Sequence, residues 1–319
     1  MKLLMTSKEQ IRLSNAVAPS FREMHRDIKC GGHTHYWLPG GRGSTKSSFV
    51  GIEIPLGIMR DEKAGEITNA VVLRRYGVTL RDSVFAQILW GLHVLGVSHL
   101  WRATVSPLAL TYKKSGQQIL FRGADDPMKV KSIKVPVGYI KYAWYEEVNE
   151  FEGEEKIRSL NQSLMRGGRN FAFFYTFNPP PSSRNWCNQY VSVSHPGTMV
   201  VHSTYLTVPR EWLGEPFIVE AEHLKETKPT AYAHEYLGEV TGTGGEVFDN
   251  VNFVELPDEV IDRFDRIRRG IDWGYATDPF VYNECHYDKT RRRLYIFREL
   301  HQVRLKNRKA AELIKPLAG

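Results

Sequence analysis

Apolar positions along the chain fall into two alternating rhythms. Residues 35–38 (HYWL), 70–76 (AVVLRRY), 116–123 (GQQILFRG), 138–147 (GYIKYAWYEE) and 169–180 (RNFAFFYTFNPP) are short aromatic or β-branched runs that read as strands. Between them apolar residues recur at helical spacing: Phe49, Ile52, Leu56 and Met59, then 80–96 (LRDSVFAQILWGLHVLG), then 148–165. Strands alternating with helices predict an α/β domain with a mainly parallel sheet. Pro55 sits inside the first of these helices and should kink it or end it early, because it removes a helical hydrogen bond.

After a turn-rich stretch at 179–186 the rhythm changes. Residues 198–206 (TMVVHSTYL) predict one more strand, and 215–239 is charged and helical with no sheet pattern. A glycine-rich turn at 241–247 opens a β-rich section. Its three strands are expected over 268–276, 279–288 and 291–300, with a turn at 288–290 and a helix beginning in 305–315. The chain carries no internal repeat and no low-complexity tract.

Composition bounds the class. At 319 residues, 42% hydrophobic and 25% charged, the chain reads as a globular protein, long enough for two domains with their own cores. The net charge of +7 favours a polyanionic partner such as nucleic acid. Cys30, Cys187 and Cys285 are too scattered for a disulfide framework or a metal knuckle, which points to a reducing compartment. No apolar run approaches the ~18 residues of a membrane span, and the N-terminus turns polar too soon for a signal peptide. A cytosolic protein is expected.

The chemistry gathers in four places. Residues 40–48, GGRGSTKSS, follow a strand and precede a helix, the setting in which successive backbone N–H groups ring a phosphate. Lys46 would reach the outer phosphates and Ser47 would place its hydroxyl on Mg²⁺. The signature wants glycine before the lysine, and Thr45 stands there; a β-branched residue is awkward if the position demands positive φ. The second place is the acid pair Glu146–Glu147 at a strand end, able to supply one metal-holding carboxylate and one that orients or deprotonates water. The third is Thr176 and Asn178, small polar residues at another strand end before prolines. The fourth is Asp272, at the start of an apolar strand, where a carboxylate needs a partner or a metal.

Taken in order, GGRGSTKSS, FRGADDPMKVKSIK with YAWYEEVNEF, FYTFNPPPSSRNW, HSTYL, AYAHEYLGEVTGTGGEVFDNV and GIDWGYATDP resemble the large terminase subunit of tailed bacteriophages and defective prophages. The resemblance implies a P-loop ATPase domain over 1–205, a helical linker region over 206–245 and the N-terminal part of a ribonuclease-H-like α/β nuclease domain over 246–319. It implies ATP hydrolysis coupled to translocation of double-stranded DNA into a capsid, with a metal-dependent endonuclease attached. Residues Gly40, Gly41, Arg42, Gly43, Ser44, Thr45, Lys46, Ser47 and Ser48 match the nucleotide loop. Glu146 matches the Mg²⁺-holding acid, Glu147 the catalytic glutamate, Thr176 to Asn178 the coupling motif and Asp272 the first nuclease metal ligand, served by Mg²⁺ or Mn²⁺. Arg42 and Arg122 are candidates for the transition-state arginine.

The implied partners are DNA, a portal protein, a small terminase subunit and further copies of the chain, in the host bacterial cytoplasm and with no membrane. The chain ends at residue 319, too soon after Asp272 for a complete domain of ~100–150 residues, so an incomplete nuclease site is expected. Of the later acids Asp278, Glu284, Asp288 and Glu299, the last is the best substitute, at the end of the third strand. Two other readings stay open: a helicase-like DNA-dependent ATPase, and a catalytically dead assembly component.

Overall fold

The computed structural model describes residues 13–125, 130, 133–242, 251–252, 254–274 and 279–316. Four expected features lie wholly or partly outside these: part of the 121–134 segment, the glycine-rich turn from residue 243 onward, the end of the 268–276 strand, and Asp278. The chain divides into two compact units, 1–247 and 248–319. No helix among the described residues is long and apolar enough to cross a membrane.

In the first unit the strands are β1 His35–Pro39, β2 Thr68–Arg74, β3 Trp101–Val105, β4 Leu108–Tyr112, β5 Gln118–Gly123, β6 Tyr139–Glu146, β7 Ala172–Phe177 and β8 Thr198–Val200. They form one sheet in the order β3-β4-β5-β2-β6-β7-β1-β8. From β5 to β8 in that order every neighbouring pair is parallel, so the mainly parallel sheet stands as expected. The helices are α1 Arg22–Cys30, α2 Lys46–Lys63, α3 Ala86–Val94, α4 Glu154–Leu164, α5 Trp186–Val191, α6 Arg210–Leu213, α7 Glu215–Thr227 and α8 Pro229–Glu235.

Alternation along each strand feeds two cores. Tyr36, Leu38, Val72, Trp144 and Phe174 pack with Phe49, Ile54 and Ile58 of α2 and with Ile88 and Leu92 of α3. Trp37, Leu73, Tyr145 and Tyr175 pack on the other face with Ile157 and Leu160 of α4 and Cys187 of α5. A sheet buried on both faces needs apolar residues at successive positions, which explains the unbroken runs in β1, β2, β6 and β7.

Several local expectations are corrected. Helix α2 runs unbroken through Pro55. Proline withdraws the helical donor from the carbonyl of Gly51. That carbonyl faces α3, where a Cβ added to Gly91 would come within 2.2 Å of it. The close approach of α3, permitted by glycine, accompanies the continuation of α2 past a proline that alone would end it. The strand expected over 198–206 is confined to β8, and the helix expected over 148–165 starts at Glu154 after a short 3-10 turn. The antiparallel hairpin β3–β4 has no counterpart among the expected elements.

The second unit contains β9 Arg268–Asp272, β10 Phe280–Asp288 and β11 Arg293–Gln302, which form a three-stranded antiparallel sheet in the order β11-β10-β9. A short helix α9, Asp258–Ile261, precedes it and α10, Asn307–Ile314, follows. Phe280 and Tyr282 form its small core with Leu305 and Ala310.

Candidate active site

The chain leaves β1 at Pro39 and enters α2 at Lys46, so residues 40–45 form a tight loop at the carboxyl edge of the sheet. Gly43 has φ 72°, and Thr45 is left-handed, with φ 62° and ψ 17°. The backbone at position 45 therefore makes the demand that glycine meets freely, and threonine meets it at a cost of about 1–3 kcal/mol. Among the described residues, the buried hydroxyls of Ser44, Thr45 and Ser203 around this loop make no hydrogen bond. Ser48 lies in the first turn of α2.

The glycines also serve packing. A Cβ on Gly41 would fall 2.0 Å from the Tyr236 carbonyl oxygen, and one on Gly43 would fall 2.4 Å from the Phe217 ring. The loop is pinned by hydrogen bonds from the Gly41 N–H to the Ser203 carbonyl (3.1 Å) and from the Arg42 N–H to the Glu235 carbonyl (2.8 Å). Helices α7 and α8, gathered around Tyr205, Tyr232 and Tyr236, thus seat directly on it. The Arg42 side chain is 65% exposed, with its guanidinium 3.7 Å from the Glu235 carboxylate.

Lys46 is only 8% exposed. Its ammonium donates to the carbonyls of Gly40 (3.2 Å) and Gly41 (3.4 Å) and to Asn178 Oδ1. Burial lowers its pKa, against the pull of Glu147 and Glu146.

Parallel pairing brings the acids to the same edge. Strand β7 lies between β6 and β1, with Thr176 in register with both Glu146 and Leu38. Ser47 Oγ donates to Glu146 Oε1 at 2.9 Å, and Thr176 Oγ1 donates to Glu146 Oε2. The Trp144 indole N–H donates to Thr176 Oγ1 at 2.7 Å, fixing that hydroxyl in turn. Glu147 follows in a left-handed conformation, φ 51° and ψ 55°. Burial, and then the neighbouring Glu146 charge, raise its pKa, opposed by Lys46 and Arg74. A raised pKa makes the carboxylate a stronger base.

The structure therefore brings Lys46, Ser47, Glu146, Glu147, Thr176 and Asn178 together. Arg122 lies on β5, separated from β6 by β2, and burial lowers its pKa. Sequence reading missed Arg74, Arg75 and Ser203, whose partners are remote along the chain. A doubled arginine directly after the apolar run 70–73 was the only available hint.

The donor set fits a divalent metal in one respect: Ser47 and Glu146 form a hydroxyl–carboxylate pair already 2.9 Å apart beside the glycine-rich loop. Mg²⁺ is commonly held by so few protein oxygens, with phosphates and water completing its shell.

In the second unit Asp272 is exposed at the end of β9, opposite Val281, rather than buried or half-buried as an apolar strand start suggests. Glu284 is buried and bonded by Tyr282 (2.6 Å), Arg269 (2.9 Å) and Arg298 (2.8 Å). Asp288 accepts the backbone N–H groups of Thr290 and Arg291 in the β10–β11 turn. Glu299 lies within β11, opposite Asn283, rather than at its end. Among the described residues, no group of three or more His, Cys, Asp or Glu is gathered to hold a metal.

Comparison with known proteins bears directly on this arrangement. The family model described as phage terminase large subunit matches residues 32–239. The large terminase subunit of Bacillus phage SPP1 is 40% identical over 308 residues, covering 93% of this chain and 71% of that protein. The PBSX phage terminase large subunit of Bacillus subtilis (strain 168) is 25% identical over 306 residues, covering 88% and 67%. Among solved structures, the large terminase of a thermophilic bacteriophage superimposes with a TM-score of 0.55 at 14% identity, over 94% of this chain and 74% of that one. The ADP complex of the same terminase gives 0.53 at 13% identity, with the same coverage. At these identities the structural likeness speaks for the fold, and the sequence matches speak for kinship: this chain belongs to the phage terminase large subunit family.

Proposed function

We propose that this chain is the ATP-hydrolysing subunit of a phage DNA-packaging motor and that its active site is the edge formed by residues 40–48, Glu146 and Glu147. One observation carries the reading. Glu146 is bonded at once by the helix-starting Ser47 and by Thr176, while Glu147 is held beside it in a strained conformation near Lys46. ATP is also the ligand class in related structures, since the thermophilic bacteriophage's large terminase is known in complex with ADP and with ATP-γ-S.

The loop N–H groups and the start of α2 cradle the phosphates, and Lys46 exchanges its loop carbonyls for the outer phosphate oxygens. Ser47 and Glu146 would hold Mg²⁺, which neutralises charge on the phosphates. Glu147 orients the attacking water and accepts its proton. Thr176 touches the metal-holding acid and Asn178 touches the lysine, so β7 senses both sides of the reaction. Arg42, on the loop and exposed, is the cis candidate for stabilising the transition state, a role worth ~10³–10⁵ in related enzymes. Arg122 is the alternative.

Double-stranded DNA is gripped through its phosphates by a chain of net charge +7, with affinity falling steeply as salt rises. A portal protein, a small terminase subunit and further copies of the chain complete the motor in the host bacterial cytoplasm. Residues 246–319 would form part of a ribonuclease-H-like nuclease domain, in which Asp272 would supply the first ligand for Mg²⁺ or Mn²⁺. Steady-state ATPase assays with and without DNA test the central claim. DNA-stimulated turnover that disappears in Lys46→Ala, with the fold intact, supports it. Undiminished turnover in that variant overturns the site, and no turnover in the parent protein identifies a catalytically dead assembly component.

A further inference from the structure

Glu147 leaves β6 in a backbone conformation that a non-glycine residue keeps only when its surroundings enforce it, at a cost of about 1–3 kcal/mol. The enforcing contacts are visible. The turn it opens is closed by the Glu150 N–H donating to the Glu147 carbonyl (2.9 Å) and by the Phe151 N–H donating to the Val148 carbonyl (3.1 Å). Val148 and Phe151 anchor the turn in the core beneath. From the adjacent strand β2, Arg75 Nη1 donates to the Glu150 carbonyl at 2.7 Å, its guanidinium lying 5.0 Å from the Tyr76 ring centre. Arg74 Nη2 stands 3.8 Å from the Glu150 carboxylate, and its Nε is buried without a hydrogen-bond partner.

We propose that Arg74 and Arg75 are positioning residues that clasp the 147–150 turn and so aim the Glu147 carboxylate at the attacking water. Because β2 and β6 are paired in register up to Leu73 and Tyr145, the two arginines emerge beside the turn. Arg75 fixes its backbone through a carbonyl. Arg74 steadies its far end through the Glu150 carboxylate. The proposal rests on the reading of Glu147 as the catalytic base.

The test is ATP hydrolysis by Arg75→Ala and Arg74→Ala in the full chain. We expect kcat to fall about 10–100-fold, the cost of slight misplacement of a catalytic group, with KM for ATP and the thermal midpoint unchanged. Arg75→Lys, which can still reach the carbonyl, restores part of the rate. Adding Arg75→Ala to Glu147→Gln causes no further loss, because both act on one step. Unchanged kcat in the alanine variants, or fully additive losses in the double variant, overturns the clasp. Full turnover in Glu147→Gln alone instead overturns the base assignment, so the two failures are distinguishable.

Discussion

Glu146 and Glu284 are carboxylates held from both oxygens, one in each unit, yet their partners differ in kind. Glu146 is bonded by two neutral hydroxyls, Ser47 and Thr176. Glu284 is bonded by two guanidinium groups and a phenol. Neutral donors orient a carboxylate without cancelling its charge, so the group can still draw a cation. Arginines cancel it, and the result is a structural tie across three strands, with Arg269 on β9 and Arg298 on β11 flanking Glu284 on β10. The lesson is that burial and hydrogen bonding alone do not mark a metal ligand; the charge of the donors does.

The sharpest way to break this contrast is to neutralise each acid in turn. Glu146→Gln should lower ATP turnover about 10²–10³-fold, the scale for removing one charge-stabilising group, whereas Glu284→Gln should leave it unchanged. Turnover measured across Mg²⁺ concentrations decides this, and equal effects from both variants would erase the distinction.

A smaller effect is expected in the second unit. Burial alone would raise the Glu284 pKa, but the Tyr282 and Arg269 hydrogen bonds and the Arg298 charge outweigh it and hold the carboxyl below the ordinary value of 4.5. A depressed carboxyl contributes stability that is complete above its unfolded pKa. That stability is lost as pH falls from about 4.5 through the lower folded value. Thermal unfolding between pH 7 and pH 3 should show this acid loss in the parent chain. In Glu284→Gln the dependence should flatten, with about 1–3 kcal/mol less stability at pH 7, because two arginines lose a charged acceptor.

The smallest effect concerns the first unit's loop. Thr45→Gly removes a left-handed β-branched residue and a buried hydroxyl without a hydrogen bond. It should stabilise the fold by about 1 kcal/mol, partly offset by the greater freedom of glycine in the unfolded chain. A thermal midpoint that falls in this variant would show that Thr45 makes a contact worth more than its strain.

How much was legible in the sequence varied with the physics of each element. Strands β1, β2, β6 and β7 were readable because burial on two faces forces consecutive apolar residues. The hairpin β3–β4 was not, since at the sheet edge only Trp101 of β3 is buried while Arg102, Ala103 and Val105 are exposed. Lys46, Ser47, Glu146 and Glu147 were legible as candidates because phosphate chemistry calls for those residue types at a helix start and at a strand end. Arg75 was not, because its role is a bond to a backbone carbonyl 75 positions away, and a carbonyl leaves no trace in residue identity. Asp272 reads as buried or half-buried because its strand looks apolar locally, yet every residue of β9 is exposed.

By itself the sequence determined the α/β class and the mainly parallel sheet, and it named the candidate nucleotide loop and acids, since periodicity and residue chemistry are local properties. Only the tertiary structure decided that Pro55 continues a helix, that Glu284 is neutralised and that Gly41 and Gly43 are crowded by Tyr236 and Phe217. It alone decided that Thr45 and Glu147 both occupy left-handed backbone. These are outcomes of which surfaces meet, and contact between residues distant along the chain is settled by packing. The glycine-rich loop is therefore strained at Thr45, its one departure from pattern, while the helices seated on it pin Gly41, Arg42 and Gly43 just before.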